Sequence, residues 1–210
     1  LVGSEMCIRD STGTLQYLAS TAMEAGFSTR VLDMQALDLQ NGRFFDPAGE
    51  LVNRCFKLYP WEWMVDESPD GCLAEMEWLE PIWKLVMSNK AILATLYELF
   101  PDSPYVLPCY LSRPRSGLFC KKPVFSREGH NVSVVDIRDW EEYVRIAETE
   151  GDYNTGAYVY QEYVEPTAYS GRYPVIGSWI IGGEAAGIGI RENRMEVTDN
   201  LSEFVPHIIG

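Results

Sequence analysis

Lys121 and Lys122 stand in "LFCKKPVFSREGHNVSVV", Leu118 to Val135, just before a proline and a loop of small and polar residues that carries Arg127 and Gly129. A lysine at the end of an apolar strand can reach phosphate oxygens as a compact point charge, while glycine and small residues let backbone N–H groups approach the same oxygens. The plainer alternative is that Lys121 and Lys122 are ordinary alternating strand residues, one facing outward and one lying along an acidic neighbour. The local sequence leaves both open.

Other residues carry comparable chemistry. Lys90 follows Ser88-Asn89, a capping pair for the helix that continues through "AILATLYELF". A lysine in a first helical turn opposes the helix dipole and calls for a negative partner, such as a phosphate, unless it is a plain surface lysine. "VYQEYVEP" places Gln161, Glu162, Tyr163 and Val164 at a strand end, where backbone groups can meet a flat base and Glu162 a ribose hydroxyl; a simple strand end has the same pattern. Arg191 follows the small-residue run "GGEAAGIGI", so its fork could meet a carboxylate or phosphoryl group, or pair on the surface with Glu192 or Glu196. "YPWEWM", Tyr59 to Met64, reads as core, with Glu62 between two tryptophans either exposed or held in a pocket wall. His130 and His207 have no ligand partner at metal-binding spacing and read as structural.

With 17 Lys and Arg against 31 Asp and Glu, the formal net charge of −14 repels a nucleic-acid backbone, so the local lysines call for a local anion. The 210 residues, 46% hydrophobic and 12% aromatic, suffice for a packed core. The densest apolar segment, Val175 to Ile190, is interrupted by five glycines and Glu184, and does not read as a membrane span. The five cysteines are dispersed without a CxxC pair, which signals neither zinc nor a disulfide framework and favours a cytoplasmic setting. The opening "LVGSEMCIRD" lacks an initiating methionine, and residues 1–10 read as a non-native or disordered start of an N-terminally truncated chain.

The elements that must position these residues are predicted as follows. Helical spacing runs from Ser11 to Ala25 with Gly26 as its cap, followed by a strand in "STRVLDM". A turn at Asn41-Gly42 and the strand "RCFKLYP" come next, then a mostly helical "MEWLEPIWKLVMSNKAILATLYELF" broken at Pro81. The second half predicts strands in "GLFCKKPV" and "VSVVDI", an acidic helix from Asp139 to Glu150, and one antiparallel sheet made of "YVYQEYV", "RYPVIGSWIIGG" and "AAGIGIREN".

Taken in order, "FKLYPWEWM", "EPIWKLVMSNKAILATLYELFP", "KKPVFSREGHNV", "YVYQEYV" and "YPVIGSWIIGGEAAGIGIREN" resemble the glutathionylspermidine synthase family, most closely its bacterial single-domain acid–amine ligase members, from about Ser11 to the C-terminus. The resemblance implies an α+β, ATP-grasp-like fold of antiparallel sheets with flanking helices, present as a partial domain. Residues 11–116 would be an N-terminal α/β part, and residues 117–210 a nucleotide-binding lobe with a C-terminal sheet. It implies ATP and Mg2+ as cofactors, and a carboxylate and an amine as substrates joined through an acyl phosphate. Lys90 and Lys122 resemble the lysines on the nucleotide phosphates, and Arg127 and Gly129 fall in the mobile loop over the reacting groups. Gln161, Glu162, Tyr163 and Val164 resemble the hinge that meets adenine, and Arg191 the arginine near the transferring phosphoryl and acyl groups.

Two departures follow from the same resemblance. The family's magnesium ligands, an Asp and a later Glu-x-Asn, belong upstream of the matched region, so this chain is expected to lack metal ligands and to be inactive alone. Trp63, beside Glu62 in the expected substrate region, replaces a small polar residue near the family's glutathione site, so glutathione is not the expected acid. The rival reading is a catalytically idle homologue that binds nucleotide or a partner protein; a carbohydrate-binding module rests on the tryptophans alone.

Overall fold

The computed structural model describes residues 2–3, 8–139, 142–153, 156–197 and 202–208. The chain is mixed α and β, with mostly antiparallel sheets and few helices. It divides into two compact units, Leu1–Met87 and Ser88–Gly210.

In the first unit, β1 (Val2–Gly3) pairs in parallel with β2 (Leu32–Asp33), and α1 spans Ile8–Glu24. The helix ends at Gly26, whose φ of 89° is cheap only for glycine. Gly26 N–H donates to Met23 O at 2.9 Å and Phe27 N–H to Ala22 O at 3.0 Å, the two bonds of a Schellman cap. β3 (Asp38–Gln40) and β4 (Arg43–Phe45) form the hairpin expected at Asn41-Gly42, and both turn residues have positive φ as a two-residue primed turn requires. β5 (Leu51–Val52) adds to β4, and β6 (Arg54–Phe56) leads to α2 (Trp61–Glu67) and α3 (Pro69–Cys72).

The helical reading of "MEWL" is corrected here: β7 (Glu77–Leu79) is a strand parallel to β6. The physical reason is packing. In the strand, the Trp78 ring meets Trp61 at 5.3 Å and Phe44 at 5.7 Å, both edge to face, and the backbone completes the β6 ladder. Phe44, Cys55, Tyr59, Trp61, Met64 and Trp78 form the buried core of this unit. A 3-10 turn at Ile82–Lys84 and α4 (Leu85–Ser88) follow Pro81.

The second unit begins with α5 (Ala91–Leu99). Its sheet has the order β11-β10-β9-β12-β8, from β8 (Cys109–Tyr110), β9 (Gly117–Pro123), β10 (Ser133–Ile137), β11 (Tyr143–Glu148) and β12 (Tyr158–Glu162), with every pair antiparallel. The expected boundary at 116/117 falls inside this unit, since α5 packs through Ala94 on Cys109 and Val159.

β11 replaces the acidic helix expected from Asp139 to Glu150. The Asp139 carboxylate accepts from Glu142 N–H at 2.8 Å and turns the chain back, and Tyr143–Glu148 then covers the open edge of β10. Helix propensity differs by only tenths of a kcal/mol per residue, and a cooperative ladder outweighs it. The other correction concerns "YVYQEYV", which joins β9 and β8, while β13 (Tyr173–Ile181), β14 (Glu184–Asn193) and β15 (Glu203–Val205) make a separate three-stranded sheet. The lysine strand thus recruits β12 as its neighbour.

Candidate functional site

Alternation along β9 and β12 decides which side chains meet. Lys122 is opposite Val159 and Cys120 opposite Gln161, so these four share one face with Cys109 of β8. On that face Lys122 Nζ donates to Gln161 Oε1 at 2.7 Å. Ala94 of α5, Cys109 and Val159 form an apolar cluster beside it. Burial pushes the Cys120 thiol up; the Lys122 charge pulls it down and Glu196 pushes it up, so both charges reach the same thiol.

Lys121 faces the other way, its Nζ 4.0 Å from the centroid of the Tyr158 ring. Lys121 and Lys122 thus alternate along the strand, and among the described residues neither makes an ion pair.

Lys90 stands at the N-cap of α5. Asn89 Oδ1 accepts from Ala91 N–H at 2.8 Å and does the capping, as Ser88-Asn89 suggested. Lys90 N–H donates to Val124 O at 2.8 Å, and its Nζ donates to Ser126 O at 2.5 Å and Ser126 Oγ at 2.9 Å. Lys90 therefore binds the loop after β9 through neutral acceptors, the Ser126 carbonyl and hydroxyl.

That loop, Phe125 to Asn131, is tied down from its other side too. Thr149 Oγ1 donates to Gly129 O and accepts from Val132 N–H at 2.9 Å, and Tyr153 N–H donates to Asn131 Oδ1 at 2.8 Å. Glu128, Gly129 and Asn131 all have positive φ, and Gly129 meets this with least strain. Arg127 is half-buried, and its carbonyl accepts from His130 N–H at 2.9 Å. The loop anchors of Thr149 and Asn131 carried no signal in the sequence, since their partners are up to 22 residues away.

At the end of β12, Glu162 N–H donates to Pro108 O at 2.8 Å and Tyr163 N–H to Leu118 O at 3.0 Å. Among the described residues the Val164 N–H makes no hydrogen bond and stays available. Strand alternation places Glu162 on the side of Tyr160, away from Gln161 and Lys122, and its charge is felt by Tyr110. The Tyr163 hydroxyl donates to Glu196 Oε2 at 2.7 Å, a contact that links β12's end to the segment after β14. Arg191 lies opposite Val175 and Phe204, with its guanidinium 5.8 Å from the Phe204 ring centroid. It pairs with neither Glu192 nor Glu196.

Glu62 and Trp63 belong to the first unit, on α2 rather than on a strand. Trp63 meets Tyr59 edge to face at 5.6 Å. The Tyr59 hydroxyl donates to Glu67, and burial first, then this hydrogen bond, pushes its pKa up. Neither Glu62 nor Trp63 lines the large concavity of that unit, about 980 Å³, whose Arg30 pairs with Asp46 and Glu50 and whose Arg54 pairs with Glu77. Among the described residues no three His, Cys, Asp or Glu side chains gather as a metal site, and no helix is long and apolar enough to cross a membrane.

Lys122 on an antiparallel sheet thus lies beside an anchored glycine loop and a strand end with an available N–H. The sequence model described as "Glutathionylspermidine synthase preATP-grasp" matches residues 6–210, and the chain belongs to that family. It is 35% identical over 208 residues to a Haemophilus influenzae protein assigned by name as an acid–amine ligase, covering 95% of this chain and 53% of that protein. It is 35% identical over 130 residues to trypanothione synthetase of Crithidia fasciculata, covering 60% of this chain and 19% of that one. With the bifunctional glutathionylspermidine synthetase/amidase of Escherichia coli K12 it shares 26% identity over 226 residues, covering 92% of this chain and 36% of that protein. The chain spans about half the length of the first of these relatives and less of the others.

Proposed function

We propose that this chain is the nucleotide-binding part of an ATP-dependent carbon–nitrogen ligase with an ATP-grasp arrangement, joining a carboxylate to an amine. The observation that carries the reading is Lys122 Nζ, held at 2.7 Å by the neutral Gln161 and by no carboxylate among the described residues, which leaves its charge for an anion. Bound ATP would supply the phosphoryl group that turns the carboxylate into an acyl phosphate, which the amine then attacks with release of phosphate.

The chain's own residues position and neutralise. Gln161 fixes the Lys122 ammonium on the sheet face, so the charge needs no reorganisation when a phosphate arrives. Lys90 holds the Ser126 carbonyl and hydroxyl, which sets the path of the loop carrying Arg127 and Gly129. Val164 N–H offers a donor for a base edge, and Arg191, supported by Phe204, offers a fork for a phosphoryl or carboxylate oxygen. Glu162 serves a ribose hydroxyl only if its side chain turns from the Tyr110 side, so Val164 rather than Glu162 anchors this end of the reading.

Among the described residues no three His, Cys, Asp or Glu side chains gather as a metal site. No step is routed through a metal here, and we assign its ligands to the length of the relatives that this chain does not span. The same observation supports a second reading, a homologue that binds nucleotide without turnover. Calorimetry with ATP tests the first claim, with Lys122→Ala expected to bind more weakly and wild-type affinity in that variant overturning it. Ligation of peptides or amino acids to amines, assayed with magnesium in a version of relatives' length, separates the ligase from the idle binder.

A further inference from the structure

Glu196 brings a carboxylate to the Lys122 face of the five-stranded sheet. Tyr163 N–H donates to Leu118 O at 3.0 Å, so pairing with β9 continues one residue past Glu162, and alternation puts the Tyr163 side chain on the side of Gln161 and Cys120. The Tyr163 hydroxyl donates to Glu196 Oε2 at 2.7 Å. Burial raises the Cys120 thiol most, Lys122 pulls it down and Glu196 pushes it up, so the Glu196 charge reaches this thiol as well. The segment that carries Glu196 is folded on itself: Asn193 Oδ1 accepts from Arg194 N–H at 2.7 Å, and Asn193 Nδ2 donates to Val197 O at 3.2 Å.

Register sets the order of groups along β9. Lys122 is opposite Val159, Cys120 opposite Gln161, and Leu118 level with Tyr163, whose neighbour Val164 offers its N–H. At about 3.3 Å per residue, Cys120 stands roughly 7 Å from Lys122 and equally far from Leu118. Glu196 is thus tied to the middle and the far end of a line that begins at the lysine proposed for phosphate and ends at the donor proposed for a base. In any nucleotide the ribose stands between base and phosphates. Its adjacent hydroxyls are donors, and an ionised carboxylate, with two acceptor oxygens and no donor, is their complement. Among the described residues Lys122 and Glu196 make no ion pair, so the carboxylate does not occupy the phosphate end.

We propose that Glu196 is the ribose-binding residue of this face, its carboxylate accepting from the 2′- and 3′-hydroxyls, and that it makes the site selective for ribonucleotides over deoxyribonucleotides. The inference rests on the nucleotide reading of the Lys122 face and gives Glu196 the role that the sequence suggested for Glu162, which points to the other side of the sheet. The Tyr163 hydroxyl holds the carboxylate in place beforehand, which lowers the ordering cost of binding.

Calorimetry with ATP and 2′-deoxy-ATP, on the parent and on Glu196→Ala, Glu196→Gln and Glu162→Ala, tests it. The parent should bind ATP about tenfold or more tighter than 2′-deoxy-ATP, the scale of one hydrogen bond to a charged group. Glu196→Ala should bring that ratio close to one, Glu196→Gln should keep part of it through the amide oxygen, and Glu162→Ala should keep the parent ratio. Thermal melts confirm that the variants fold. A ratio unchanged in Glu196→Ala overturns the proposal, even where both nucleotides bind more weakly, because a merely structural contact would weaken both alike. Collapse of the ratio in Glu162→Ala but not in Glu196→Ala overturns it too and returns the ribose to Glu162. Equal affinity of the parent for the two nucleotides overturns the proposal and leaves the nucleotide reading standing, whereas binding of neither overturns both.

Discussion

Lys122 Nζ and Gln161 Oε1 are 2.7 Å apart across two antiparallel strands, with Lys122 in register with Val159 and Gln161 in register with Cys120. The contact is diagonal, so the lysine leans toward the strand end where Val164 N–H is available. Lys122→Ala removes the charge and is expected to weaken ATP binding by about 1–3 kcal/mol, the range for charge-assisted hydrogen bonds. Gln161→Ala keeps the charge but releases its tether, and a smaller loss is expected. Calorimetry on the two variants checks the order; a greater loss in Gln161→Ala would show that the lysine is not the phosphate ligand.

Lys90 tests the loop. Its Nζ bonds Ser126 O and Oγ, while Thr149 and Tyr153 hold the loop from the far side. A segment held at both ends resists local opening. Limited proteolysis should therefore cut Lys90→Ala faster than the parent between Phe125 and Asn131, with a non-hydrolysable ATP analogue slowing the cut in the parent. Equal cutting in all cases would remove the loop from any covering role over the nucleotide.

Much of this was legible in sequence because it is local. The cap at Gly26, the Asn41-Gly42 turn, the strand ending in Lys122 and the capping Asn89 each depend on residues within a few positions. What was not legible depends on distant partners. Trp78 turns "MEWL" into a strand by packing on Phe44 and Trp61. Residues 143–148 become a strand because β10 has an open edge, although Glu, Ala and Arg favour helix. "YVYQEYV" and the two strands after it share composition, and composition does not say that the first pairs with β9 and the others with each other. Among the candidate residues, Lys122 and Gln161 are brought together, whereas Glu162 is turned to the other face.

The hydrogen bond from Tyr163 to Glu196 predicts a pH dependence. It is the first cause raising the tyrosine to about 12 from the model-compound 10.0, with burial second. A folded-state value above the unfolded one favours the fold fully below pH 10, and that contribution is lost as pH rises toward 12. Since Glu196 is exposed, screening limits the bond to about 1 kcal/mol or less. Tyr163→Phe should lower stability slightly at neutral pH and flatten the loss between pH 10 and 12. Denaturant melts across that range check it, and a parallel pH dependence in parent and variant would assign the titration elsewhere.

Gly151 gives the sharpest packing prediction, because it supports the segment that pins the loop. A Cβ built there would lie 2.4 Å from His130 Cβ and 2.9 Å from Asn131 Oδ1. The first contact is far inside van der Waals range, and its atom cannot swing away as a flexible chain end would. Asn131 Oδ1 is also the acceptor for Tyr153 N–H at 2.8 Å, and the His130 ring meets Tyr153 at 5.9 Å, so neither neighbour can move without breaking a loop anchor. Gly151→Ala is therefore expected to destabilise by about 1–3 kcal/mol, the usual cost of overpacking. If the loop covers the nucleotide, the same variant should weaken ATP binding although residue 151 lies outside the lysine face. Denaturant melts give the first quantity and calorimetry the second. Parent-like stability would mean that the loop and residues 149–153 are not packed as described, while lost stability with parent-like ATP affinity would separate the anchor from the binding site.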